Sequence, residues 1–387
     1  MAITPRTLAQ SFKTLYSFTG GNDGVLPQGP LILDEQGNLY GEALYSANGI
    51  GNGTIYRYGS DRRFTLLYSF PGQGGNGQKG ANPSGGLLRD NHGNLYGVTQ
   101  DGGEGQYVPF GVVFKLDSGG KETVLHHFAG PPGDGATPLG GMLQGRHGVF
   151  YGTTAMGGSG ECRGGQQICG TVFALDHGKE SVLHNFQGGP QDGLEPSANL
   201  VQDAQGNLYG TTVGGGEAYG MGCGGILFGC GTVFELSPQS GGDWAEKVLY
   251  SFTGGDDGYF PQTIAIDSQN NLYGTALYGG NPACGGGCGT IYKLGPSGDF
   301  TVLHSFTGGR DGYGPYFVLL DNSGNIYGAA NFVVFKLDTA NKISVLHRFP
   351  TARKSANSLT LAGNGTLYGT TAQGGKDNSG TIFMLKP

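Results

Sequence analysis

The chain has 387 residues, 80 of them glycine, and a net charge of −7 with only 13% of residues charged. No Lys/Arg-rich run or basic stripe is present, which argues against nucleic acid as a partner. No apolar run approaches the roughly 18 residues a membrane span requires. Hydrophobic content of 37%, with 20 Tyr and 21 Phe, is enough for an extensive core and speaks against disorder.

In chain order, Met1-Ala2-Ile3-Thr4-Pro5 is not a signal peptide, so the chain is either cytosolic or a mature form with an added Met. Lys13-Thr14-Leu15-Tyr16-Ser17-Phe18 then alternates in the strand period. Next comes Leu31-Ile32-Leu33-Asp34, a tight turn, and Gly37-Asn38-Leu39-Tyr40-Gly41. Two short apolar runs joined by a turn with Gly near its end describe a hairpin. A third segment, Gly53 to Tyr58, follows a glycine-rich loop, and a fourth, Thr65 to Phe70, repeats the opening pattern.

This unit returns along the chain. Its tyrosine recurs at Tyr40, Tyr96, Tyr151, Tyr209, Tyr273, Tyr327 and Tyr368, with spacings of 56, 55, 58, 64, 54 and 41 residues. A period of that size is the mark of a repeat architecture. Four strands per unit and seven units predict a single all-β domain over residues 1–387, a seven-bladed β-propeller with four antiparallel strands per blade. The blades are expected near residues 29–70, 84–128, 140–186, 197–252, 262–306, 316–349 and 357–385. The first strand-like segment is of the fourth type and the last, Thr381 to Leu385, of the third. Residues 12–18 should therefore complete the last blade as its outer strand, a three-plus-one splice that leaves no open end.

The repeated G-N-L-Y-G-T-T, G-T-V-F-x-L, V-L-x-x-F and T-G-G-x-D-G-x-x-P resemble the GloVer tandem repeats of bacterial surface proteins, of the choice-of-anchor type, over residues 12–387. The resemblance implies a secreted or anchored propeller and carries no reaction with it. The cysteines agree on compartment. Cys162/Cys169, Cys223/Cys230 and Cys284/Cys288 are three local pairs in equivalent Gly-rich loops, which read as disulfides formed in an oxidising environment. Zinc would need His or further Cys beside them, and none is near in sequence. The protein is expected to be secreted or on the cell surface, and monomeric.

Three sets of residues bear on chemistry. His126, His184, His304 and His347 share one repeat position with Tyr16, Tyr68 and Tyr250, which reads as a polar-tipped aromatic used in packing. Asp23, Asn76, Asp134, Asp192, Asp257 and Asp311 each precede Gly in equivalent loops. A ring of such carboxylates could hold calcium. Recurrence in nearly every blade favours local capping instead, so no cofactor is expected. The single tryptophan, Trp244, is expected in a loop between third and fourth segments, as a packing plug.

The third set lies where the repeats disagree. Blades three to five carry the cystine loops, whereas blade six has only Ala330-Asn331 before Phe332, and the seventh repeat replaces its Asx-Gly loop with Pro350 to Ser355. A high wall opposite a low rim predicts a groove bearing Arg353, Lys354, Asn331, Arg310, Tyr313 and Tyr316, with Tyr45 beyond. Cations beside aromatic faces suit a glycan, particularly an anionic one. The first reading is therefore a recognition module for glycan or another extracellular ligand. The alternatives are a polysaccharide lyase, with Tyr313 or Tyr316 as base, a glycosidase using Glu42 and Glu195, and a structural or adhesive repeat protein.

Overall fold

The computed structural model describes residues 10–46, 52–71, 79–103, 110–160, 162, 169–218, 223 and 228–387. Seven antiparallel sheets stand as the blades of a β-propeller. Blade one runs outward from Val25–Leu33 through Leu39–Tyr45 and Thr54–Tyr58 to Phe64–Ser69. Blades two, five and six repeat that plan, with inner strands Ala81–Arg89, Tyr259–Ile266 and Tyr313–Leu320. In blades three and four the inner strand is split, into Gly135–Ala136 and Leu143–Gln144, and into Gly193–Pro196 and Val201–Gln202. These inner strands begin a few residues ahead of the sequence boundaries, because the segment entering each blade is already extended against its neighbour.

The last blade contains Ala356–Leu361, Leu367–Thr371 and Thr381–Lys386, and its outer strand is Ser11–Ser17. Phe12 lies opposite Leu385 and Ser17 opposite Thr381, so the two ends of the chain are hydrogen-bonded side by side. No helix of the described residues is long and apolar enough to cross a membrane. Trp244 departs from expectation: it opens the outer strand Trp244–Ser251 opposite Pro238, its ring edge-on to Tyr151. Cross-strand pairing and a half-buried surface suit an indole better than the loop that a Gly-Gly-Asp lead-in suggests.

The repeated motif has three physical jobs. In its hairpin, Asp34 accepts from the Asn38 backbone and amide, at 2.8 Å each, and from the Tyr40 hydroxyl. The same Asp–Asn–Tyr set recurs at Asp90, Asp203 and Asp267. Burial pushes the Asp34 carboxyl up, but these donors outweigh it and hold it below its ordinary value. Second, the Gly after the tyrosine leaves room for a ring: a Cβ at Gly97 would stand 2.7 Å from Phe114, and one at Gly274 2.3 Å from the Tyr292 hydroxyl. Third, that ring meets the Phe ending the preceding blade's outer strand. Phe70–Phe114, Phe128–Phe173 and Phe186–Phe234 are each edge-to-face at 5.2 Å. Phe18–Tyr56 closes the ring in the same way at 5.1 Å. The core is thus laid down between blades, in layers of one aromatic pair each.

A second contact locks all the joints but one. The residue before a proline on the inner strand adopts a left-handed conformation (Leu26, Asn82, Thr137, Glu195, Phe260, Gly314). Its N–H reaches across to the preceding blade, as Glu195 to the Cys169 carbonyl at 2.9 Å and Gly314 to Cys288 at 2.7 Å. The proline then lies on the glycine that starts the neighbour's third strand: a Cβ at Gly53 would be 2.2 Å from Pro83 Cδ, and one at Gly380 2.4 Å from Pro27 Cδ. Six joints carry this glycine–proline latch. Between blades six and seven, Phe332 stands for the glycine and Ala356 for the proline, and Phe332 N–H instead donates to Ser355 Oγ at 2.7 Å.

The buried Tyr292 hydroxyl has no hydrogen-bond partner, and most blades use Phe at its position. Tyr292→Phe should therefore raise stability by about 1 kcal/mol, whereas Gly274→Ala should lower it by about 2–3 kcal/mol through overpacking. Chemical denaturation of the two variants checks both signs.

Candidate functional site

The loop aspartates and the Tyr/His position, read separately in the sequence, form one unit. Asp23 accepts from the Tyr16 hydroxyl and the Thr19 N–H, both at 2.8 Å, and from Thr19 Oγ1 at 2.6 Å. Asp257 repeats this with Tyr250 and Thr253. Asp134, Asp192 and Asp311 face His126, His184 and His304 at 3.0, 3.3 and 3.1 Å. Each carboxylate is engaged with its own loop and the outer strand leading into it. Asn76 lies outside the described residues. The signal was present in the sequence, since every aspartate follows its Tyr or His by seven or eight residues.

The three cysteine pairs are bonded, with Cα separations of 5.5, 5.3 and 5.0 Å. The middles of the first two loops, residues 163–168 and 224–227, and with them the expected high wall, lie outside the described residues. What is visible is where the cystines stand. Cys169, Cys230 and Cys288 supply the carbonyls that accept across three successive joints, so the disulfides brace the latches between blades three and six.

The next joint in the ring, between blades six and seven, is the one without a latch. There a hollow of about 400 Å³ is lined by Gln28, Gly29, Tyr316, Asn331, Ala352, Arg353, Asn357 and Ala372. Tyr316, Asn331 and Arg353 are thereby brought together. Arg353 is exposed on a short 3-10 turn, Ala352–Lys354. Asn357 donates to the Pro27 carbonyl at 2.6 Å, tying blade seven to blade one at the floor. Tyr45, Arg310, Tyr313 and Lys354 are not part of this lining. Tyr313 packs against Phe332 at 5.7 Å, and the Arg310 carbonyl is held by Arg348 at 2.9 Å. Gln28 and Asn357 were missed from sequence, although the loss of both glycine and proline at one joint pointed to their surroundings.

The proposed catalytic residues are not arranged as a pair. Glu42 is fully buried, accepts from the Gly86 N–H at 2.8 Å, and sits between blades one and two. Glu195 lies at the joint of blades three and four, its N–H given to Cys169. The two carboxylates are thus at different joints, each placed by a different pair of blades. Tyr316 donates its hydroxyl to the Ala356 carbonyl, and burial holds its pKa far above the usual phenol value. A phenol so placed keeps its proton.

Burial also lifts Glu42, to about 8, the Gly86 hydrogen bond opposing only in part. Its second oxygen has no partner. Because the folded carboxyl titrates higher than the unfolded one, the unfolded chain loses its proton first as pH rises. Stability should fall between about pH 4.5 and 8 and then level off. Glu42→Gln keeps the acceptor and removes the charge, so it should flatten that fall and gain on the order of a few kcal/mol at pH 8. Melting curves across pH for both proteins decide this.

Among solved structures, the chain resembles a streptogramin B lyase with a TM-score of 0.63 at 14% identity, covering 97% of each chain. Virginiamycin B lyase from Staphylococcus aureus gives 0.62 at 14% identity, over 98% of this chain and 99% of that one. The extracellular domain of a protein from B. thetaiotaomicron described as a one-component system gives 0.57 at 9%, over 96% of this chain and 39% of that one. At such identities the likeness is one of fold. No curated protein matches the sequence. The Gloeobacter/Verrucomicrobia repeat model matches twice, over residues 2–163 and 162–383, and the protein belongs to that repeat family.

Proposed function

We propose that the chain is an exported recognition module that binds a glycan, or another extracellular ligand with an anionic group, in the hollow between blades six, seven and one. The observation that carries this reading is the exposed Arg353 beside the amides of Asn331, Asn357 and Gln28 and the ring of Tyr316, at the joint where the latch is missing. A guanidinium pairs with a carboxylate through two parallel N–H bonds. Carboxamides match sugar hydroxyls as both donors and acceptors, and a tyrosine edge supplies apolar contact. Three disulfides support an oxidising, extracytoplasmic location. The module acts as a monomer, and no cofactor enters the proposal.

A catalytic role for the same hollow finds less support. The carboxylates are separated and the Tyr316 phenol is a committed donor. Screening the native protein against neutral and uronate-containing glycans is the direct test. Binding to acidic glycans without product is expected, with Arg353→Ala weakening it by about tenfold or more and Lys354→Ala having less effect. No binding, or binding that survives Arg353→Ala and Asn357→Ala together, would remove the proposal. New ultraviolet absorbance from unsaturated uronates would establish a lyase in its place.

A further inference from the structure

At the outer edge of each joint, the Tyr/His position meets one residue of the next blade's outer strand. Where that residue is Phe, the rings stack: Tyr16 on Phe64 at 4.3 Å, Tyr250 on Phe300 and His347 on Phe12 at 3.8 Å. Between blades one and two it is Glu122, which faces Tyr68 and pairs with Lys79 at 3.6 Å. There the protein supplies its own counter-charge.

The next two joints have the acid but no lysine. Glu180 stands beside His126 and Asp134, and Glu246 beside His184 and Asp192, with one ligand atom from each residue lying within 4.8 Å of the others. Among the described residues, no Lys or Arg pairs with Glu180 or Glu246. In both copies the glutamate Oε1 is buried and has no hydrogen-bond partner. Two carboxylates, partly buried, are therefore packed together around an imidazole, a costly arrangement unless a cation joins them. One imidazole nitrogen and two carboxylate oxygens form a borderline donor set, suited to zinc rather than to calcium, which takes oxygen ligands alone. Beside Glu246 a hollow of about 540 Å³, lined also by Gln191, Glu217 and Tyr250, gives the second site an entry path and room for a water ligand.

We infer that the joints between blades two and three and between blades three and four each bind a divalent transition-metal cation, zinc by preference, through His126, Asp134 and Glu180 and through His184, Asp192 and Glu246. The metal takes the place of the imidazole–aspartate hydrogen bond, and because metal ligands bind deprotonated, binding tightens with rising pH. These sites are separate from the Arg353 hollow, and neither proposal depends on the other.

The test is calorimetric titration of the chelator-treated full chain with zinc chloride, followed by thermal melting. About two zinc ions per chain are expected, with a higher melting temperature, and no comparable response to calcium. Glu180→Gln and Glu246→Gln should each remove one ion. His126→Tyr and His184→Tyr do the same by another route, since Tyr already fills this position at Tyr16 and Tyr250 with its aspartate bond kept. Their unchanged metal-free melting separates lost binding from lost folding. Zinc binding no stronger than that of the doubly substituted Gln protein would overturn the inference. So would stoichiometric binding that none of the four substitutions reduces.

Discussion

The structure depends on how one sheet is joined to the next. Within a blade, pairing needs little beyond alternation and a turn, but a ring closes only if every blade meets its neighbour at the same spacing and angle. Here a proline ring lies on a glycine with no room for a Cβ, while a left-handed residue gives its N–H across the gap. The aromatic pair further out fills the wedge that opens with distance from the axis. These contacts are short-ranged and steric. They tolerate little variation, which is why glycine and proline persist while surface positions drift between repeats.

At the single joint without that latch, Phe332 cannot admit a proline ring, and none is present. Ser355 replaces the missing backbone partner. Space released by the exchange is where the Arg353 hollow forms. The cystines brace the three joints that precede it. Bracing and opening thus fall on neighbouring joints of one ring, through changes of a few residues in an otherwise repeated unit.

Much of the fold was legible because it is written seven times. Tyr40 and its equivalents mark the second strand, and the unpaired first segment, Lys13 to Phe18, could only belong to the last sheet. The sites were less legible for a physical reason. A joint is made by residues roughly one repeat apart, so Glu180 and Asp134, or Tyr316 and Asn357, share no local pattern. Glu42 was singled out as a candidate acid, yet its burial against Gly86 is a property of the assembled ring. The His–Asp spacing was local and readable, but its meaning lay in the third member from the next blade.

The strand that seals the circle has a consequence for how the chain is made. Ser11–Ser17 is synthesised ahead of all the other blade strands, and its partner Thr381–Lys386 after them. Until Thr381–Lys386 has emerged, six blades can form in order while the seventh lacks both its partner and its protected edge. The long-range pairing comes at the end and carries the largest loop-closure entropy in the molecule. A chain that crosses a membrane unfolded and assembles only on the far side, all its segments arriving together, escapes that interval of exposure. The closing strand thus makes late, all-at-once assembly an advantage for this fold.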